Sequence, residues 1–195
     1  MTVILGIRTE RNVFLAGDKR ATSVNDRFVD DEMNKVAVIN DHLAFASGGN
    51  ASIGKAIEID IARSGNAQHM TTHDLLLTIK AFYCRCQERA TFLLSDMPFS
   101  FIIAGTDQDG KPSLIAGKQA NRMVESSEVE MMLYPPADVD FQTCADIFVK
   151  NYRTHPKEFI ERTIREVAPL SSYVSSTGDK WVFDVEHNKG VISSF

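Results

Sequence analysis

Met1-Thr2-Val3-Ile4-Leu5-Gly6-Ile7, Thr9-Glu10-Arg11-Asn12 and Val13-Phe14-Leu15-Ala16-Gly17-Asp18 form the stretch whose reading decides the fold. Two apolar runs separated by a polar turn predict a β-hairpin. Strands are antiparallel across a hairpin, so the start of the first lies beside the end of the second. Thr2 and Asp18 are therefore expected at the same end of paired strands. The small side chain of Thr2, directly after the initiator, permits removal of Met1 by methionine aminopeptidase. An N-terminal threonine carries its own base: its free α-amine, with a reference pKa of roughly 7.7–8.0, can take the hydroxyl proton.

Working outward, the chain offers the other parts such a nucleophile needs. Lys35 opens the next apolar run, Lys35-Val36-Ala37-Val38-Ile39, and can reach back to Asp18. The polar segment Ser23 to Glu32, with Phe28-Val29 inside it, is expected as a loop or small hairpin bordering the cleft. Gly48-Gly49 follows a third run, Leu43-Ala44-Phe45-Ala46, and precedes a helical pattern. Backbone N–H groups at a glycine turn and helix start are unpaired and can face a developing oxyanion.

Composition narrows the class. The chain has 195 residues, 44% hydrophobic and 24% charged, enough for one sizeable core and a single domain over 1–195. A net charge of −5 argues against a nucleic-acid surface. No apolar run approaches the roughly 18 residues of a membrane helix, and no signal segment opens the chain, so a cytoplasmic location is expected. Cys84, Cys86 and Cys144, an odd count, read as reduced thiols, and His69 and His73 as polar loop residues; no metal or cofactor is expected.

Further along, apolar spacing predicts a helix from Ala51 to Ser64, stopped by Gly65-Asn66, and another from an N-cap at Thr72 toward Phe92. A hairpin follows, Phe99–Gly105 and Pro112–Ala116 about the turn Asp107–Lys111, then a strand over Glu128–Tyr134. Two more helices are expected over Val139–Tyr152 and Pro156–Val167, and a closing hairpin from Trp181 to Phe195. The order strands, two helices, strands, two helices, strands is that of an α+β protein. An α-β-β-α sandwich would give it, and so would a generic α+β fold.

Thr2, Ala16-Gly17-Asp18-Lys19-Arg20-Ala21-Thr22, Lys35 and Gly48-Gly49 together resemble the proteasome β-subunit family, including its bacterial relative, the HslV peptidase. The spacing from Thr2 to Asp18, Arg20 and Thr22 follows that pattern without a gap, and Lys35 stands one residue late. The resemblance implies an N-terminal-nucleophile hydrolase fold with two antiparallel sheets between helical layers. It implies a threonine peptidase for unfolded protein or peptide substrates, assembled into homo-oligomeric rings of six or seven subunits that stack and are served by an ATPase unfoldase.

By the same resemblance Thr2 is the nucleophile, Lys35 keeps its amine unprotonated, Asp18 holds Lys35, and Gly48 or Gly49 supplies the oxyanion donor. Arg20 and either Ser175 or Ser176 support them. Two elements depart from the family: Leu133-Tyr134-Pro135-Pro136-Ala137 stands where a Gly-Ser-Gly turn is usual, and no aspartate stands three residues before Ser175 or Ser176. These departures suit the alternative of a non-catalytic ring subunit of the same fold.

Overall fold

The expected hairpin is present in the computed structural model, which describes residues 2–22, 28–88, 98–120 and 123–195. Strands β1 (Ile4–Arg8) and β2 (Asn12–Asp18) pair antiparallel with Ile4 opposite Gly17 and Leu5 opposite Ala16. A two-stranded ribbon follows, β3 (Ala21–Thr22) with β4 (Phe28–Asp30); β4 lies in the segment Ser23 to Glu32 read as a loop or small hairpin, and β3 just before it. Then come β5 (Val36–Asn40), β6 (Leu43–Gly49), helix α1 (Ala51–Ser64) and helix α2 (Thr72–Glu88). Four more strands succeed them: β7 (Phe99–Thr106), β8 (Pro112–Ala120), β9 (Met123–Glu128) and β10 (Met131–Tyr134). Helices α3 (Phe141–Thr154) and α4 (Phe159–Val167) and strands β11 (Gly178–Asp184) and β12 (Lys189–Ser194) complete the order.

Among the described residues these strands make two five-stranded antiparallel sheets, β10-β1-β2-β11-β12 and β5-β6-β7-β8-β9, besides the β3-β4 ribbon. Successive strand residues face opposite sides of a sheet, and β2 shows what that alternation buries. Val13 and Leu15 point between the sheets, with Ile4, Ile102, Leu114 and Trp181. Ala16 and Phe14 point the other way, with Val3 and Leu5, and are covered by Phe148, Phe159 and Ile164 of α3 and α4. The second sheet repeats the scheme: Phe45, Phe101 and Ile103 pack under Ile53 and Ile57 of α1 and Leu75 and Ile79 of α2. Three separate cores between four layers define the α-β-β-α sandwich. Because both faces of each sheet are covered, the central strands are apolar on both sides and read as continuous runs.

Local chemistry sets the element boundaries. The side chain of Asn50 caps α1 by accepting from the Ser52 N–H, and Gly65 ends it at φ 71°, a left-handed conformation that costs glycine little. Helix α2 is capped by Thr71, not Thr72: the Asp74 carboxylate takes the Thr71 N–H and hydroxyl, a capping-box arrangement. Thr72 is instead buried and hydrogen-bonded to Ser113. The stretch from Arg89 to Phe92, where this helix was expected to run on, lies outside the described residues.

The single strand expected over Glu128–Tyr134 is two. Glu128 ends β9 in one sheet and Met131 starts β10 in the other, with the Val129 N–H bonded to Leu114 and the Glu130 carbonyl to the Arg8 N–H across the step. Pro156 lies in a turn closed by the Glu158 N–H on the His155 carbonyl, so α4 starts at Phe159. Among the described residues no disulfide engages Cys84, Cys86 or Cys144, and no helix is long and apolar enough to cross a membrane.

Leu15 is fully buried in the inter-sheet core. Leu15→Ala should lower the free energy of unfolding by about 2–5 kcal/mol, the usual cost of emptying such a site. Urea denaturation checks it, and a loss below about 1 kcal/mol would show that the sheets do not close on this residue.

Candidate active site

The end of β2 and the segments leading into β5 and β1 meet at one point. Thr2 is 6% exposed, Asp18 0% and Lys35 9%, so the three polar side chains are packed away from water. Hairpin register brings Thr2 to Asp18, as the antiparallel pairing requires. Lys35 arrives from the other sheet, where the Ser47 N–H bonds to its carbonyl and ties β6 to the same place.

Asp18 is the acceptor at the centre. Its Oδ1 takes the Val3 N–H at 3.0 Å, the Lys35 ammonium at 2.9 Å and the Thr2 hydroxyl. Its Oδ2 takes the Arg20 N–H at 2.9 Å and the Ser175 N–H at 3.2 Å. Lys35 also donates to the Thr2 hydroxyl oxygen, so that oxygen sits between a carboxylate and a cation. Burial pushes the pKa of Lys35 below the ordinary lysine range, while the Asp18 charge and hydrogen bond pull it back up. The result is a lysine that releases its proton more easily than a surface lysine and that touches the Thr2 hydroxyl.

The two glycines differ. A Cβ on Gly48 would lie 2.8 Å from Thr2 Cγ2, so glycine is what lets this backbone lie flush on the threonine. Gly49 is exposed at φ 92°, and a Cβ there would meet the Pro98 carbonyl at 2.0 Å. It serves the turn into α1, where the Asn50 N–H bonds to that same carbonyl. Of the two, Gly48 is the one against Thr2.

Arg20 gives its backbone N–H to Asp18, and its guanidinium makes a two-pronged pair with Asp31 at 2.8 and 3.0 Å. That pairing holds the Asp31 carboxyl below the usual range. Ser175 is buried; its N–H reaches Asp18 and its hydroxyl oxygen accepts the Lys19 N–H at 3.0 Å. Ser176, the other serine considered, is exposed. The backbone donors of Val3, Arg20 and Ser175 to Asp18 carry no side-chain signature in sequence, and only the fold reveals them. At the position of the usual Gly-Ser-Gly turn, Tyr134 gives its hydroxyl proton to the Gly117 carbonyl at 3.0 Å. Burial of this phenol pushes its pKa up to about 12.

Among the described residues no group of three or more His, Cys, Asp or Glu side chains is placed to hold a metal ion. The arrangement suits a hydroxyl nucleophile activated by neighbouring charge. Residues 2–118 match the family model described as Proteasome subunit, more than half of the chain, and the chain belongs to that family. A search of the curated proteins finds no match.

Removing one partner of a buried ion pair strands the other charge. Asp18→Ala and Lys35→Met should each destabilise the fold by about 3–5 kcal/mol, and the double variant by clearly less than their sum. A double-mutant cycle from chemical denaturation measures this, and additive losses would show that the two charges do not act as a pair.

Proposed function

We propose that this proteasome-family subunit is a threonine-type endopeptidase of a bacterial-type, proteasome-like ring. It would hydrolyse peptide bonds through an acyl-enzyme on Thr2 once Met1 has been removed. The observation that carries the reading is the Thr2 hydroxyl held between Lys35 and Asp18 in a buried site, with the Gly48 backbone against its methyl group.

In this mechanism the Thr2 oxygen attacks the scissile carbonyl carbon while its proton passes to the Thr2 α-amine. The developing negative charge on the carbonyl oxygen is met by the Gly48 N–H; loss of one such donor typically costs roughly 100- to 1000-fold in rate. The amine returns the proton to the leaving nitrogen as the C–N bond breaks, leaving an ester on Thr2. Water, deprotonated by the same amine, then cleaves the ester. Lys35 disfavours a second positive charge on the amine nearby, which keeps the base free at neutral pH. Its bond to the Thr2 oxygen also stabilises that oxygen as it loses its proton. Asp18 holds Lys35, and Arg20 and Ser175 hold Asp18 through their N–H groups.

A second reading, a non-catalytic ring subunit, is favoured by Leu133-Tyr134-Pro135-Pro136-Ala137 standing in place of the serine-bearing turn. Hydrolysis of a small peptide amide by Met1-free protein, its mass verified intact, separates the two. Thr2→Ala should abolish turnover while lowering stability by only about 1–3 kcal/mol, the worth of a hydroxyl bonded to charged partners. Wild-type turnover no faster than that of Thr2→Ala would select the non-catalytic reading.

A peptidase open to the cytoplasm would cut unfolded chains indiscriminately, so the nucleophiles would be enclosed by assembly. Identical subunits related by cyclic symmetry would share their outer faces in a ring of six or seven, stacked and fed with substrate by an ATPase unfoldase. On α3, Phe141, Val149 and Tyr152 are exposed apolar side chains that such packing would cover. Sedimentation at micromolar concentration should give a ring-sized particle, and a stable monomer would overturn the compartment.

A further inference from the structure

We propose that Asp138 is a positioning residue for this site: it fixes the loop 171–175 so that the Ser175 N–H stays on the Asp18 carboxylate. The proposal rests on the hydrolase reading above. Asp138 lies between β10 and α3, outside every group that touches Thr2. Its Oδ1 accepts the Ser171 hydroxyl at 2.6 Å, and its Oδ2 accepts the Ser172 N–H at 3.0 Å and the Ser172 hydroxyl at 3.1 Å. Ser171 Oγ in turn accepts the Tyr173 N–H at 3.0 Å, and the Arg20 guanidinium donates to the Ser172 carbonyl at 3.3 Å. One carboxylate thus gathers the start of the loop, and the arginine whose N–H serves Asp18 holds it from the opposite side.

Only Tyr173 and Val174 separate this anchored start from Ser175, so the chain between them has little slack: a residue spans at most about 3.3–3.6 Å. Ser175 then makes two bonds that bear on the site, its N–H to Asp18 Oδ2 at 3.2 Å and its Oγ accepting the Lys19 N–H at 3.0 Å. Freeing Ser171 and Ser172 would let the Ser175 N–H leave Asp18 Oδ2, which would keep only the Arg20 N–H among the donors named above. The carboxylate that aligns Lys35 with the Thr2 oxygen would then be held less firmly. Burial alone would raise the Asp138 pKa, but the bonds from Ser171 and Ser172 draw it below the usual aspartate range, so the anchor is charged at neutral pH. Asp138 is itself exposed, and truncating it opens no cavity. The residues it joins are 33 and 34 positions away, which is why no local motif announces it.

The test compares Met1-free, full-length wild type, Asp138→Ala, Asp138→Asn, Ser171→Ala and the Asp138→Ala/Ser171→Ala double variant. Two measurements are made on each: kcat and KM on a peptide amide, and hydrogen exchange of the peptide spanning 171–178. Asp138→Ala should speed exchange in 171–178 without changing it in β1 and β2, and lower kcat roughly ten- to hundredfold with KM little altered, the scale expected from misplacing a group by about 1 Å. Asp138→Asn, which keeps an acceptor oxygen, should recover part of kcat. Ser171→Ala should also lower kcat, and the double variant should lose no more than Asp138→Ala alone. Unchanged exchange in Asp138→Ala overturns the proposal, and so does faster exchange with unchanged kcat. Wild type without Thr2-dependent turnover would overturn the hydrolase reading instead; faster exchange at 171–178 would then still support the tether, and unchanged exchange would refute it.

Discussion

A carboxylate with no contact to water must collect enough donors to offset its lost hydration, and Asp18 does so from four separate pieces of chain. The residue before β1 supplies the Val3 N–H, the link after β2 the Arg20 N–H, the loop before β11 the Ser175 N–H, and the residue before β5 the Lys35 ammonium. None of these is close in sequence to all the others. The charge is therefore satisfied only when both sheets have formed and docked, so the fold and the site are established together. The Thr2 hydroxyl joins the same group and is oriented by it.

Such a centre is a poor way to gain stability. Burying two charges costs several kcal/mol per ion, and well-packed apolar residues of similar volume often do as well or better. The three cores supply stability instead, with Trp181, Phe45, Phe101 and Leu15 fully buried in them. Local rules broken without structural gain mark functional positions. Here the break is a lysine and an aspartate deep at a sheet end, sharing one threonine hydroxyl. Under the hydrolase reading proposed above, these are the groups that would activate Thr2.

What was legible in sequence followed from local pattern. The hairpin, the end of β2 at Asp18, the run after Lys35 and the helix from Ala51 to Ser64 rest on alternation, helical spacing and the stop at Gly65, and each is where these signals put it. Gly48 was legible only as one of two glycines, because a close backbone approach to Thr2 is a tertiary fact. Two misread strands share a cause. β11 begins at Gly178, ahead of the apolar run at Trp181, because pairing with Asp18 and Gly17 of β2 carries the polar residues Asp179 and Lys180 into the strand. β9 is an edge strand with the polar sequence Glu125-Ser126-Ser127-Glu128, and its partner β8, not its own alternation, makes it a strand. The Ser175 and Asp138 contacts join distant backbone and side chains, for which a single sequence carries no signal.

The central claim is that Thr2 is the nucleophile, and the most direct measurement is the site of covalent capture. Met1-free protein would be treated with an electrophile that acylates N-terminal threonine, digested, and mapped by mass spectrometry. The account predicts one adduct per chain on the peptide beginning at Thr2, prevented by unfolding the protein first. No adduct on that peptide, or capture confined to the exposed thiol of Cys84, would contradict it.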